Sequence, residues 1–254
     1  MVKIAVFDSG LGSLSIIKPI QKQMKCDIIY FADTKNFPYG KKSIKELKNI
    51  TLKTISSIQN FFVPKLIVIG SNTLSLTLDS HSNNIFTVLP PINEAKTISK
   101  SKSIAILTTE SIVKSKLLDN YIKSLKINNI KIIKINASAL VELVEDGKFY
   151  SNPELCKNMI KKILSLTLIK NNVDVVTLSS THLPFLLKFF KNIFPNITFL
   201  DPSESLAINL KQQHADPNKK RSSLQIFTSG SINSLEKKLS YMNINNKISK
   251  FSIQ

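Results

Sequence analysis

Apolar residues in this chain gather in short unbroken runs rather than in strict alternation. The stretches "KIAVFD" (3–8), "DIIYFAD" (27–33), "KLIVIG" (65–70), "SIAILTT" (103–109), "IKIIKIN" (130–136), "VDVVTLS" (173–179) and "NITFLD" (196–201) are of this kind. Runs of that length and character suit strands buried on both faces. Between them, 43–61, 111–125, 153–170 and 203–213 carry helical patterns. Ser151-Asn152-Pro153-Glu154 predicts a helix start, with a cap followed by proline in the first turn. Strands and helices in alternation predict an α/β fold with mainly parallel sheets. The paired prolines of "VLPPINEA" (88–95) mark a crossing between domains.

The chain also resembles itself. "IAVFDS" (4–9) matches "IAILTT" (104–109), and "LIVIGSNT" (66–73) matches "VVTLSSTH" (175–182), at offsets of 100 and 109 residues. Two similar α/β lobes are therefore expected, pseudo-twofold related: 1–94 plus 204–254, and 95–203. Ligands of parallel α/β folds bind at the carboxyl ends of strands. Two facing halves would offer similar polar turns to one small molecule from opposite sides of a cleft. An inversion of stereochemistry needs that geometry.

Composition narrows the class. At 254 residues with 43% hydrophobic content, the chain can bury a full core. It has no apolar run near the 18–20 residues that a membrane span requires. The opening "MVKIAVFDSG" turns polar too soon for a secretory signal. Cys26 and Cys156 suit a reducing cytoplasm, and with only three histidines they offer no metal-binding spacing. The net charge of +18 would favour polyanions, yet Arg221 is the sole arginine and only "DPNKKRSS" (216–223) is a compact basic cluster. Proteins that read nucleic-acid grooves lean on arginine, so specific nucleic-acid binding is not expected.

Five motifs in order, "IAVFDSGLGS", "YFADTKNFPYGKKS", "IVIGSNT", "ELVEDG" and "LSSTHLPFL", resemble the cofactor-independent glutamate racemases of the aspartate/glutamate racemase superfamily. "DPSESLA" (201–207) and "FTSG" (227–230) extend the similarity toward the C-terminus. The resemblance implies two α/β domains around the substrate, no cofactor, and D-glutamate made for peptidoglycan. The implied partner is a small acidic amino acid, glutamate or aspartate; a homodimer is compatible with it.

One departure stands out. The family pattern has a cysteine before Asn-Thr in the first half and before Thr-His in the second, where this chain has Ser71 and Ser180. Family racemases use one thiolate to remove the α-proton from one face while the other thiol delivers a proton to the opposite face. A thiol with an ordinary pKa of about 8.5 can be tuned to a usable thiolate. A serine hydroxyl is a far weaker acid and needs an adjacent base even to act as a nucleophile. Gly70 and Ser179, just before the two serines, also depart from the family's residues. That favours natural divergence over an engineered substrate trap.

The resemblance gives the other residues roles. Asp8 and Ser9 bind the ammonium group and orient the first base. Tyr39 and Gly40 belong to the substrate-side loop. Asn72, Thr73 and Thr181 offer neutral donors to the α-carboxylate, where preorganised donors stabilise developing charge. Glu145 and His182 assist the second base, and Thr109 matches one threonine of a family pair whose other position is Ile112. Each has a plainer reading as a turn, cap or solvated residue. Ser71 lacks the G-x-S-x-G context of a hydrolase nucleophile. The alternative is a catalytically inactive protein of this fold that binds an acidic amino acid, since serine keeps hydrogen-bonding capacity. A basic nucleic-acid partner rests on charge alone.

Overall fold

The computed structural model describes residues 2–78, 83–216 and 220–254. Within them run ten strands: β1 (Lys3–Asp8), β2 (Asp27–Ala32), β3 (Leu66–Ile69), β4 (Ile85–Thr87), β5 (Ser103–Thr108), β6 (Lys131–Asn136), β7 (Val175–Leu178), β8 (Thr198–Leu200), β9 (Ser223–Thr228) and β10 (Ile248–Lys250). The chain divides into two compact units, Met1–Val88 with Ser203–Gln254, and Leu89–Pro202.

In the first unit the sheet order is β10-β9-β2-β1-β3-β4, and in the second it is β6-β5-β7-β8. Every pairing is parallel. Taken from the first strand of each unit, both sheets contain the order second-first-third-fourth. The internal repeat read from sequence thus corresponds to a repeated topology, with β1 matching β5 and β3 matching β7. The mixed α/β class with parallel strands is as expected. β9 and β10 extend the first sheet beyond this repeated part.

The first core forms because β1 and β3 are apolar on both faces. Ala5, Phe7, Ile67 and Ile69 are buried with Ile58 and Phe62 of the helix Ile44–Phe62. That helix starts with a reciprocal capping box: Glu46 N–H donates to Ser43 Oγ at 3.3 Å, and Ser43 N–H donates to Glu46 Oε2 at 2.8 Å. Phe251, from the C-terminal segment, meets Phe31 edge-on at 5.1 Å between ring centroids. In the second unit, Cys156, Ile160, Leu164 and Leu168 form a four-residue-spaced stripe on the helix Pro153–Lys170. They share a core with Ala105, Leu107, Val176 and Leu178. Asn152 caps this helix, its Oδ1 accepting from Leu155 N–H at 3.1 Å with proline in the first turn, as the sequence predicts.

Asp174 staples the second unit at the entrance to β7. Its carboxylate accepts from Ser99 Oγ (2.6 Å), Lys100 N–H (2.6 Å), Ser101 N–H (2.9 Å) and Ser101 Oγ (2.7 Å). Partial burial by itself raises the pKa of this carboxyl, but these donors outweigh it and hold the pKa below its ordinary value. A pKa depressed on folding adds stability that is present above the unfolded pKa of about 3.9 and is lost as pH falls through the folded one. Asp174→Asn should therefore cost roughly 1 kcal/mol at pH 7, a figure reduced for solvent screening. In urea titrations repeated across pH, that gap should close as pH falls through the lowered folded pKa. A gap that persists at low pH would show that the carboxylate charge is not what matters.

Three short strands lie outside the runs read from sequence. β4 and β10 are three-residue edge strands, and β9 ("SLQIFT") mixes polar residues into a largely half-exposed pattern. The helix expected at 111–125 is two, Glu110–Val113 and Lys116–Ser124, because Ser115 takes an extended conformation between them. The basic cluster at 216–223 falls partly on 217–219, outside the described residues. Among the described residues, no helix is long and apolar enough to cross a membrane.

Candidate active site

Parallel strands bring their carboxyl ends to one edge of each sheet, so the polar residues that follow them gather there. In the first unit, β1 ends in Asp8-Ser9, β2 leads into Asp33, and β3 leads through Gly70 to Ser71-Asn72-Thr73. In the second, β5 leads into Thr109 and β7 leads through Ser179 to Ser180-Thr181-His182.

Ser71 and Ser180 hold the same local position. Gly70 N–H donates to Phe7 O at 2.8 Å, extending the β1–β3 ladder to the residue before Ser71. Ser179 N–H donates to Leu107 O, also at 2.8 Å, extending the β5–β7 ladder to the residue before Ser180. Both serines are buried, at 5% and 7% exposed. Ser71 also caps the short turn of helix Asn72–Ser75, its Oγ accepting from Leu74 N–H at 3.5 Å. The fit at Gly70 is close: a Cβ there would lie 2.8 Å from Ser13 Oγ and 3.2 Å from Phe7 O, so a larger residue needs these neighbours to shift.

Around Ser71 the first unit assembles the other residues singled out from sequence. Asp8 is buried, and its Oδ1 accepts from Ser9 N–H at 2.7 Å. The turn Tyr39–Lys41 packs against the short helical turn Asn72–Ser75. The Tyr39 hydroxyl donates to Asp33 Oδ2 at 3.0 Å. Burial, then the charges of Asp33 and Asp8, push this phenol well above its ordinary pKa, so it stays protonated as a donor. Asn72 Nδ2 donates to Val88 O at 2.8 Å, fixing the amide, and among the described residues its buried Oδ1 accepts no hydrogen bond. The side chain therefore presents an acceptor as well as its second N–H.

The second unit holds a buried pair. Glu145, at the end of helix Ser138–Glu145, places Oε2 2.9 Å from His182 Nε2. Both side chains are buried, and that helix packs against the turn Leu183–Leu186 that follows His182. A carboxylate hydrogen-bonded to one ring nitrogen fixes the orientation of the imidazole. His182 of this pair stands two residues after Ser180 in the chain. Thr109 lies farther along the same edge, with its Oγ1 3.3 Å from Ser111 Oγ. Asp33 and Ser229 are polar residues of the first-unit edge that sequence reasoning did not assign. Both sit inside stretches quoted for the resemblance, directly after a strand.

No protein-family model matches the chain. It is 32% identical over 216 residues to the glutamate racemase of Buchnera aphidicola subsp. Schizaphis graminum, spanning 82% of this chain and 83% of the relative. It is 30% identical over 250 residues to that of Buchnera aphidicola subsp. Acyrthosiphon pisum, spanning 93% and 94%. Among solved structures, Escherichia coli glutamate racemase in complex with L-glutamate and the activator UDP-MurNAc-Ala aligns with a TM-score of 0.85 at 22% identity, covering 100% of this chain and 99% of that one. Picrophilus torridus aspartate racemase aligns with a TM-score of 0.54 at 16% identity, covering 83% and 92%. These two solved structures bear on the fold; the sequence identity sustained over more than four-fifths of both chains bears on descent, and by it this chain belongs to the glutamate racemase family.

Proposed function

We propose that this chain binds glutamate through the loops carrying Ser71 and Ser180 and interconverts its enantiomers without a cofactor, at a rate held low by hydroxyls where the family resemblance implies thiols. The observation that carries this reading is the equivalent placement of the two serines, each one residue past a ladder bond at the carboxyl end of a third strand. Racemisation needs one group that removes the α-proton and another that returns a proton to the opposite face. A pair of topologically equivalent side chains supplies one such group from each unit. Asp8 and Ser9 would hold the ammonium and orient the first of these groups, the Glu145–His182 pair would assist the second, and Asn72, Thr73 and Thr181 would hold the α-carboxylate. Glutamate is favoured over aspartate because three curated relatives at 30–32% identity are glutamate racemases. By resemblance the product is D-glutamate for peptidoglycan, made in the cytoplasm.

The hydroxyls themselves favour a second reading, a protein of this fold that binds an acidic amino acid and does not turn it over. Both readings require binding. Calorimetric titration with D- and L-glutamate, with aspartate as comparator, should give saturable heat, and melting temperature should rise with ligand. Silence from every dicarboxylic amino acid at millimolar concentration would end both.

A further inference from the structure

The loop that carries Tyr39 and Gly40 has little regular structure of its own, being two short turns, Thr34–Asn36 and Tyr39–Lys41. What holds it comes from far along the chain. The turn after β9, Thr228-Ser229-Gly230, lies against its start. Thr228 Oγ1 donates to Ala32 O at 3.0 Å, so its lone pairs are left to accept from Thr34 Oγ1 at 2.9 Å and Gly230 N–H at 3.2 Å. Ser229 Oγ donates to Asp33 Oδ1 at 2.8 Å and accepts from Lys35 N–H at 3.0 Å. The other oxygen of Asp33 accepts from Asn36 Nδ2 at 2.8 Å and from the Tyr39 hydroxyl at 3.0 Å.

Asp33 is 0% exposed, and its carboxylate gathers three side-chain donors from the loop and from the distant turn. A buried carboxylate is tolerable only with such donors, so the cluster holds together as a unit. Gly230 makes the fit close: a Cβ there would come 2.2 Å from Thr34 Oγ1 and 3.2 Å from Thr34 Cβ. On the outer side, Lys250 Nζ donates to the carbonyls of Ser229 and Gly230, and Lys238 Nζ stands 5.8 Å from the centroid of the Phe37 ring.

We propose that Asp33, Ser229 and Gly230 are positioning residues that set where the Tyr39–Gly40 loop meets the dicarboxylic amino acid, so that the C-terminal segment tunes substrate affinity without touching substrate. This rests on the dicarboxylate-binding reading above. It assigns a purpose to a buried carboxylate that the proton-transfer chemistry leaves unused.

The test is calorimetric titration with L-glutamate of the unaltered chain, Ser229→Ala, Gly230→Ala, and Gly230→Ala with Thr34→Ala. Hydrogen exchange over 33–41 is measured on the same proteins. Gly230→Ala should weaken glutamate binding about tenfold, the effect of losing roughly one well-placed interaction. Adding Thr34→Ala removes the oxygen that the new methyl would strike and should recover most of that affinity. Ser229→Ala should speed exchange at the Lys35 amide and weaken binding several-fold. If the unaltered chain binds glutamate and Gly230→Ala binds it equally well, the positioning role is overturned and the dicarboxylate reading stands. If affinity drops and Thr34→Ala does not recover it, the loss is general damage and the proposal is likewise overturned. If the unaltered chain binds no dicarboxylic amino acid, the functional reading fails, and the positioning role fails with it.

Discussion

Cysteine at both positions 71 and 180 should turn a slow or silent protein into one that interconverts L- and D-glutamate. The expected gain is roughly 10²–10⁴-fold for each proton transfer, the usual range for a positioned acid–base group. The reason is ionisation: a thiol can be tuned to a thiolate near neutral pH, whereas a hydroxyl cannot supply an equivalent base. Neither position alone suffices, because a single competent face removes and returns the proton on the same side. Ser71→Cys alone should therefore give solvent deuterium uptake mainly from one enantiomer, with little net inversion. The double change should exceed the product of the single changes, as expected of groups that act as a unit. Proton NMR in D₂O follows exchange from each enantiomer, and circular dichroism follows inversion. Racemisation by the serine protein at an ordinary enzymatic rate would refute this account of the site. A double cysteine protein that folds, binds glutamate and does nothing would favour the binding-only reading.

Loss of Glu145 should have the next largest effect, and an asymmetric one. Glu145 Oε2 lies 2.9 Å from His182 Nε2 with both side chains buried. Glu145→Ala takes this partner from the imidazole and should cost about 1–3 kcal/mol in urea denaturation, the penalty for stripping one side of a buried polar contact. Glu145→Gln keeps a hydrogen-bonding group in place and should cost less. In the double cysteine protein, either change should slow exchange about 10²-fold for one enantiomer more than for the other. The asymmetry is the expected result of a pair that, under the proposed function, assists only the Ser180 side. A double-mutant cycle with His182→Ala should be strongly non-additive. Equal slowing of both enantiomers would mean that the pair supports the fold rather than one proton transfer.

Much of the scaffold was legible because parallel strands buried on both faces must be apolar along their whole length. "KIAVFD", "SIAILT" and "VVTL" announce themselves as β1, β5 and β7, and the capped helix at 153–170 is marked by Asn152-Pro153. β4, β9 and β10 did not announce themselves. Two are three-residue edges, and the third is polar enough to read as loop, so their pairing depends on neighbours rather than on their own pattern. Ser115 likewise interrupts an unbroken helical pattern by adopting an extended conformation that local propensity does not dictate.

The chemistry divides in a similar way. Sequence alone determined which residues follow each strand, Asp8-Ser9, Ser71-Asn72-Thr73 and Ser180-Thr181-His182, and that two of those segments are alike. It also determined that hydroxyls stand where the resemblance implies thiols. Tertiary structure alone decided how those side chains are committed. Tyr39 gives its hydroxyl to Asp33, Asn72 gives an N–H to Val88, and Glu145 reaches His182 across 37 positions of sequence. Only tertiary structure brings Ser229 to Asp33, 196 residues away. The physical reason is range. Backbone periodicity and caps are settled by residues within a few positions of one another, so they leave a local pattern. A hydrogen bond between distant segments depends on sheet order and register, which no stretch of either segment contains by itself.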